Sequence, residues 1–191
     1  VATGGSTSMK NVIAALTEGF AEVEPDVTVS YDPTGSGAGI TGAADKTLDI
    51  GLSSRALKDD EKADVEGTTI ALDGIAIIVN NASKVENLTV DQLKQMFTGE
   101  ITNWKDVGGQ DLDIVAFQRR SDSGSQTLFQ KLLIQGGELM DPPTELAPTA
   151  MGELVDSLAA YNNSANAIGF SVYYYIDQMY SQPGLRLLSV D

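Results

Sequence analysis

The chain has 191 residues, 42% of them hydrophobic and 20% charged, and a net charge of −15. That is long enough for one domain or two small lobes with a real core, and the composition excludes the low-hydropathy signature of disorder. Cysteine and histidine are both absent, which removes disulfides, zinc fingers, thiol nucleophiles and any Ser-His-Asp triad.

From the N-terminus, apolar residues at helical spacing (Val12, Ile13, Leu16, Phe20) predict a helix over Met9–Val23. After Pro25-Asp26, the alternation of Val27–Tyr31 predicts a strand, and a short helix is expected over Ile40–Lys46. Asp49–Leu52 reads as a brief buried strand and Leu57–Ala63 as a small charged helix. Thr68–Leu72 and Gly74–Asn80 read as consecutive strands interrupted at Asp73-Gly74. Val90–Phe97 is amphipathic, with Leu93, Met96 and Phe97 on one side. Then come a strand at Ile114–Phe117, a helix at Ser125–Ile134, a loop at Pro142-Pro143 and a helix at Met151–Tyr161. Ala167–Phe170 and Leu185–Val190 are the last two strands. This alternation predicts an α/β fold with mainly parallel sheets, divided near Leu72-Asp73-Gly74 into lobe 1 (1–72) and lobe 2 (73–191). The longest apolar run, Gly74–Val79, is far too short to cross a bilayer. A start at Val1 is what a processed chain would show, with a leader or lipid anchor upstream.

Three loops share one chemistry, and each leads toward a predicted helix. They are Gly4-Gly5-Ser6-Thr7-Ser8, Thr34-Gly35-Ser36-Gly37-Ala38-Gly39 and Ser121-Asp122-Ser123-Gly124-Ser125-Gln126-Thr127. Glycines let backbone N–H groups approach a ligand, hydroxyls add donors, and a helix N-terminus adds about half a positive charge. One such loop alone is an ordinary helix cap; three in a chain of this size fit an anion site as well as they fit three caps. None has the Gly-Lys-Ser/Thr of a phosphate-binding NTPase loop or the Gly-x-Ser-x-Gly of a hydrolase elbow. Arg55 follows the strand at 49–52, and Arg119-Arg120 follow the strand at 114–117, positions where α/β sheets collect ligands. The bland alternative for each arginine is a surface ion pair. Residues 1–72 carry a net −7 and residues 73–191 a net −8, so neither half has the basic excess that nucleic acid requires.

These residues resemble the phosphate-binding proteins of ABC-type phosphate importers. The resemblance runs through Gly5-Ser6-Thr7-Ser8, Thr34-Gly35-Ser36-Gly37, Asp49–Arg55 and Asp73–Asn80. It continues through Leu93–Phe97, Gly99–Trp104, Gln118-Arg119, Ser123–Thr127 and Ala167-Ile168-Gly169-Phe170. It implies a two-lobed periplasmic-binding-protein architecture (type II, a Venus flytrap) that closes on inorganic phosphate and delivers it to an ABC-transporter permease. The protein would be extracytoplasmic, periplasmic or held at the cell surface by an upstream lipid anchor, and neither an enzyme nor a cofactor protein. The implied ligand shell is Ser6, Thr7, Ser36, Arg55, Arg119, Ser123, Gly124 and Ser125, with Ser8 and Ser54 as weaker candidates.

Two departures from the family pattern stand out. Members usually continue past the equivalent of Asp191 with a return segment that completes lobe 1. The family also places a carboxylate where this chain has Ser54 or Ser121, leaving Asp122 as the candidate acceptor for the ligand's proton. Such a carboxylate bonds hydrogen phosphate but repels fully ionised sulfate, a discrimination of at least ~1–3 kcal/mol. The alternatives are another oxyanion such as sulfate or molybdate, a non-transport extracellular receptor, and a serine-dependent enzyme using Ser36 or Ser123, which would lack a histidine base. Trp104 and Tyr173–Tyr175 read as packing and surface residues, and Asp59-Asp60-Glu61 as a solvated helix start without metal-loop spacing.

Overall fold

The computed structural model describes residues 1–142, 146–160 and 164–191. They form two compact units: Val1–Leu72 together with Ser121–Gly124, and Asp73–Arg120 together with Ser125–Asp191. Four residues of the second half of the sequence thus belong with the first unit, which a single cut after Leu72 does not provide for.

The first unit is built on three parallel strands, β1 (Ala2–Gly5), β2 (Ser30–Asp32) and β3 (Ile50–Leu52), in the order β2-β1-β3. Helix α1 (Lys10–Val23) follows β1, and helix α2 (Ser36–Ala44) links β2 to β3. Close approach of α2 to the sheet explains the glycines there. A Cβ on Gly39 would lie 2.7 Å from Gly5 Cα and 2.8 Å from the carbonyl oxygens of Gly4 and Leu52, nearer than real Cβ atoms come to neighbours. Only glycine lets the start of α2 rest on the carboxyl ends of β1 and β3.

The second unit holds a five-stranded sheet in the order β5-β8-β4-β7-β6. Its strands are β4 (Ile75–Asn80), β5 (Asn87–Leu88), β6 (Val115–Ala116), β7 (Ala167–Val172) and β8 (Leu185–Val190). The pairs β5–β8 and β6–β7 are parallel, whereas β4 runs antiparallel to both its neighbours, with Ile77 opposite Phe170 and Leu188. Alternation along β4 buries both faces: Ile77 and Val79 enter one core, Ala76 and Ile78 another. Helix α3 (Val90–Thr98) starts with a reciprocal capping box between Thr89 and Gln92 and places Leu93, Met96 and Phe97 in the first of these cores. There Phe129 stacks on Phe170 at 4.2 Å and meets Phe97 edge-on at 4.7 Å. Trp104 is buried, its indole N–H donating to Asn166 O at 2.9 Å. Helix α4 (Gly124–Phe129), whose first residue belongs to the first unit, and helix α5 (Met151–Ala160) are the other α-helices among the described residues.

Several predicted elements differ from the observed ones. Thr68–Leu72 is not a strand: among the described residues none pairs with it, and Ile70 and Leu72 are exposed. The charged helix at 57–63 contracts to one 3-10 turn, Glu61–Ala63. In β3 only Leu52 is buried. The stripe on α1 buries Ile13 alone and leaves Leu16 and Phe20 exposed, since periodicity marks a face and not what covers it. α4 passes into a π-helical turn at Gln130–Ile134. Pro143 and Tyr161, the far ends of a predicted loop and helix, lie outside the described residues. Among the described residues, no helix is long and apolar enough to cross a membrane.

Candidate functional site

Four loops of the first unit converge where its strands end, and they are bonded to one another. The chain leaves β1 at Gly5, whose φ of +128° favours glycine, and whose carbonyl accepts the Gly35 N–H at 2.8 Å. Ser6 N–H donates to Leu52 O at 2.8 Å, tying the end of β1 to the end of β3. Ser54 N–H donates to Ser36 Oγ at 3.1 Å, and the two hydroxyls lie 3.3 Å apart. Gly37 N–H donates to Asp122 O at 3.2 Å, which brings the 121–124 segment to the start of α2.

The result is a cluster of neutral donors around the N-terminus of a nine-residue helix. Ser36 is wholly buried, Ser6, Ser8, Ser123 and Gly124 are buried, and Thr7 is half-buried. Ser6 Oγ and Ser8 Oγ are 3.0 Å apart, and the Ser6 carbonyl accepts the Tyr31 hydroxyl at 2.7 Å. A Cβ on Gly124 would collide with Ser36 Oγ and Ser54 Oγ, so this glycine allows a backbone to pass against two hydroxyls. Ser8 and Ser54, the weaker candidates, stand in the same cluster as Ser6 and Ser36. The Asp122 side chain is exposed.

Arg55 sits otherwise than its proposed ligand role would need. Its Nη1 donates to Glu61 Oε2 at 2.7 Å and to Ala56 O at 3.0 Å, while Nη2 donates to Glu61 Oε1 at 2.6 Å. The guanidinium thus faces a carboxylate of its own chain in a bidentate pair. Sequence reading placed Glu61 on a solvated helix start. A separation of six residues matches no helix or strand rule, so no pattern pointed to the pair.

In the second unit, Arg119 is buried and Arg120 exposed. Arg119 N–H donates to Gln126 Oε1 at 2.8 Å, and its Nε and Nη2 donate to Pro148 O at 3.1 Å and Thr149 O at 2.6 Å. Gln126 Nε2 in turn reaches Gln118 Oε1 at 3.2 Å. Gln126, quoted in the loop motif but given no role there, is the side chain that anchors the Arg119 backbone. Ser125 is buried one residue beyond Gly124. Among the described residues, no group of acidic residues is placed to hold a metal ion.

The hydrogen bond from Arg55 holds the Glu61 carboxyl at about 2, below its ordinary 4.5. A carboxyl lowered in the folded state stabilises the fold above its unfolded value, and that contribution fades as pH falls from about 4.5 to about 2. Acid unfolding followed by circular dichroism is therefore expected to show a smaller stability loss across this window in Glu61→Gln than in the parent. Equal slopes would mean the pair adds nothing.

The PBP superfamily domain matches residues 1–180. The chain belongs to the PBP superfamily. This PBP-superfamily chain is 29% identical over 175 residues to the phosphate-binding protein PstS of Bacillus subtilis, covering 90% of itself but 56% of that relative. It therefore spans a little over half the length of that protein. A structure titled as a putative phosphate ABC transporter substrate-binding protein with bound phosphate, from Clostridium perfringens, matches with a TM-score of 0.89 and 33% identity. That match covers 100% of this chain and 75% of the other. An ABC-type phosphate transport receptor from Vibrio cholerae matches with a TM-score of 0.75 and 29% identity, covering 100% and 76%.

Proposed function

We propose that this chain is the solute-binding part of an extracytoplasmic protein that captures inorganic phosphate for an ABC-transporter permease, and that it is not an enzyme. The observation that carries this reading is the convergence of four hydroxyl- and N–H-bearing loops at the start of α2. The N–H groups of Ser6, Gly35, Gly37 and Ser54 bond these loops to one another, and this holds the Ser6 and Ser36 hydroxyls at the helix start in place for an oxyanion with little reorganisation. Without histidine or cysteine, the cluster has neither an imidazole base nor a thiol nucleophile, the commonest groups of acyl- and phosphoryl-ester cleavage. The names of the relatives from Bacillus, Clostridium and Vibrio point the same way.

The proposed shell is Ser6, Thr7, Ser36, Ser123 and Gly124, with Arg119 and Ser125 as the positions flanking the 121–124 segment in sequence. Arg55 is left out of the shell because its guanidinium faces Glu61. Asp122 is the proposed acceptor for the proton of hydrogen phosphate. The permease, and a location either in a periplasm or at the cell surface through an upstream lipid, belong to the same proposal.

Calorimetric titration of phosphate-stripped protein with phosphate and then sulfate at neutral pH tests it. The expected result is one-to-one phosphate binding without a sulfate response, and a gain of sulfate binding in Asp122→Asn. Equal binding of both anions by the parent would make the protein a general oxyanion binder. Silence toward both would sink the reading.

A further inference from the structure

We infer that Arg55 and Glu61 form a latch that positions Ser54 against Ser36, so that Arg55 acts on anion binding through Ser54 and not by touching the anion. The inference rests on the phosphate-binding reading above and assigns Arg55 the role of a positioning residue.

The guanidinium is already occupied within its own chain. Three hydrogen bonds engage its two terminal nitrogens, two of them to the Glu61 carboxylate in the parallel fork that a bound oxyanion would otherwise take. The Arg55 side chain is 7% exposed and that of Glu61 19%, so the pair is largely shielded from water. Glu61 is itself fixed from two sides. Its Oε2 also accepts the Lys58 N–H at 2.7 Å, and its backbone N–H donates to Lys58 O at 3.2 Å. Only six positions separate the partners. A tethered carboxylate acts at an effective concentration of about millimolar or more, against which a free anion competes poorly.

What the pair holds matters more than what it excludes. Ser53 Oγ accepts the Arg55 N–H at 3.2 Å and donates to Arg55 O at 2.8 Å, so residues 53–61 form one bonded loop closed by the ion pair. Ser54 lies between Ser53 and Arg55, and its N–H and hydroxyl both meet Ser36 Oγ. Because a Cβ on the neighbouring Gly124 would collide with these same two hydroxyls, the cluster tolerates little movement of Ser54. Breaking the latch frees Ser54 without removing any group that contacts the ligand. The rival is a gate, in which Glu61 occupies the anion's place on Arg55 and must be expelled. Latch and gate predict opposite signs for loss of Glu61.

The experiment compares the full chain as parent, Glu61→Gln, Arg55→Ala, the double variant, and the exchanged pair Arg55→Glu/Glu61→Arg. Phosphate titration is read alongside amide hydrogen exchange of residues 52–57. The latch predicts that both single variants weaken phosphate binding by a similar factor, roughly tenfold, and that the double variant is no worse than either. The exchanged pair should recover most of the affinity. Exchange at 52–57 should quicken in both single variants and slow again in the exchanged pair. Tighter binding in Glu61→Gln, or an exchanged pair that folds but binds no better than Arg55→Ala, would overturn the latch and put Arg55 on the anion. If the parent binds no phosphate, the functional reading fails by itself, and exchange still decides the latch: unchanged rates at 52–57 in Glu61→Gln would refute it. The same measurement decides should the exchanged pair not fold.

Discussion

Gly124→Ala is expected to lower phosphate affinity at least ~100-fold, the loss that misplacing several charge-assisted hydrogen bonds entails. Backbone preference argues the other way. Gly124 has no positive φ and opens a helix, where alanine is favoured over glycine by about 0.8–1 kcal/mol. Sterics decide, because the new methyl would overlap both Ser36 Oγ and Ser54 Oγ. Either the hydroxyls swing away or the 121–124 segment lifts from α2, and both outcomes disperse the proposed donors. Gly19→Ala is the control: a Cβ there meets nothing within 4 Å in the middle of α1. It should stabilise the protein by about 0.5–1 kcal/mol and leave the affinity unchanged. Calorimetry and thermal melts of the two variants check the pair of expectations. A Gly124→Ala protein that binds phosphate within threefold of the parent would show that this cluster is not the site.

Much of this cluster was legible in the sequence, and for a physical reason. Loops that bring backbone close to backbone need glycine, and buried loop ends need hydroxyls to satisfy them, so Gly5-Ser6, Gly35-Ser36 and Ser123-Gly124 stand out in composition alone. A strand buried on both faces, such as β4, announces itself as an apolar run rich in β-branched residues. Two things were not legible. The membership of Ser121–Gly124 in the first unit is a matter of chain path, marked by contacts such as the backbone bond from Gly37 N–H to Asp122 O, which leave no mark on residue type. The Arg55–Glu61 pair depends on a loop folding back on itself, and a lone arginine after a strand looks the same whether its fork faces a ligand or its own chain. The error at Thr68–Leu72 is of another kind: alternation is necessary for a half-buried strand, yet it cannot supply the partner strand that makes one.

An acidic protein as an anion receptor is less paradoxical once the sources of potential are separated. The −15 net charge is spread over the chain and screened by salt beyond about 10 Å. The proposed donors at the start of α2 are buried and fixed, and an anion bound by them would lie within hydrogen-bond distance. Near-field dipoles outweigh a screened distant charge, so surface acidity tunes the approach of the anion more than its retention.

Arg119→Ala is expected to cost at least ~100-fold in phosphate affinity and Arg120→Ala less than threefold, because a buried cation acts in a low dielectric and an exposed one is screened. Arg119 is 4% exposed, and its backbone is fixed by Gln126 and its side chain by two carbonyls, so a contact with an anion would cost it little side-chain freedom. Those same carbonyls lose their donors in Arg119→Ala, and a fall in stability would accompany the substitution even if Arg119 never met a ligand. Arg119→Lys separates the two effects. Lysine keeps the charge and can bond one carbonyl, but it cannot reproduce the planar fork. If the charge holds the anion, the lysine variant should recover a substantial part of the affinity, and its binding should weaken with added salt as the parent's does. If Arg119 serves only to hold Pro148 and Thr149, affinity in each variant should track the thermal midpoint and nothing else. Equal losses in Arg119→Ala and Arg120→Ala would show that burial has singled out the wrong arginine.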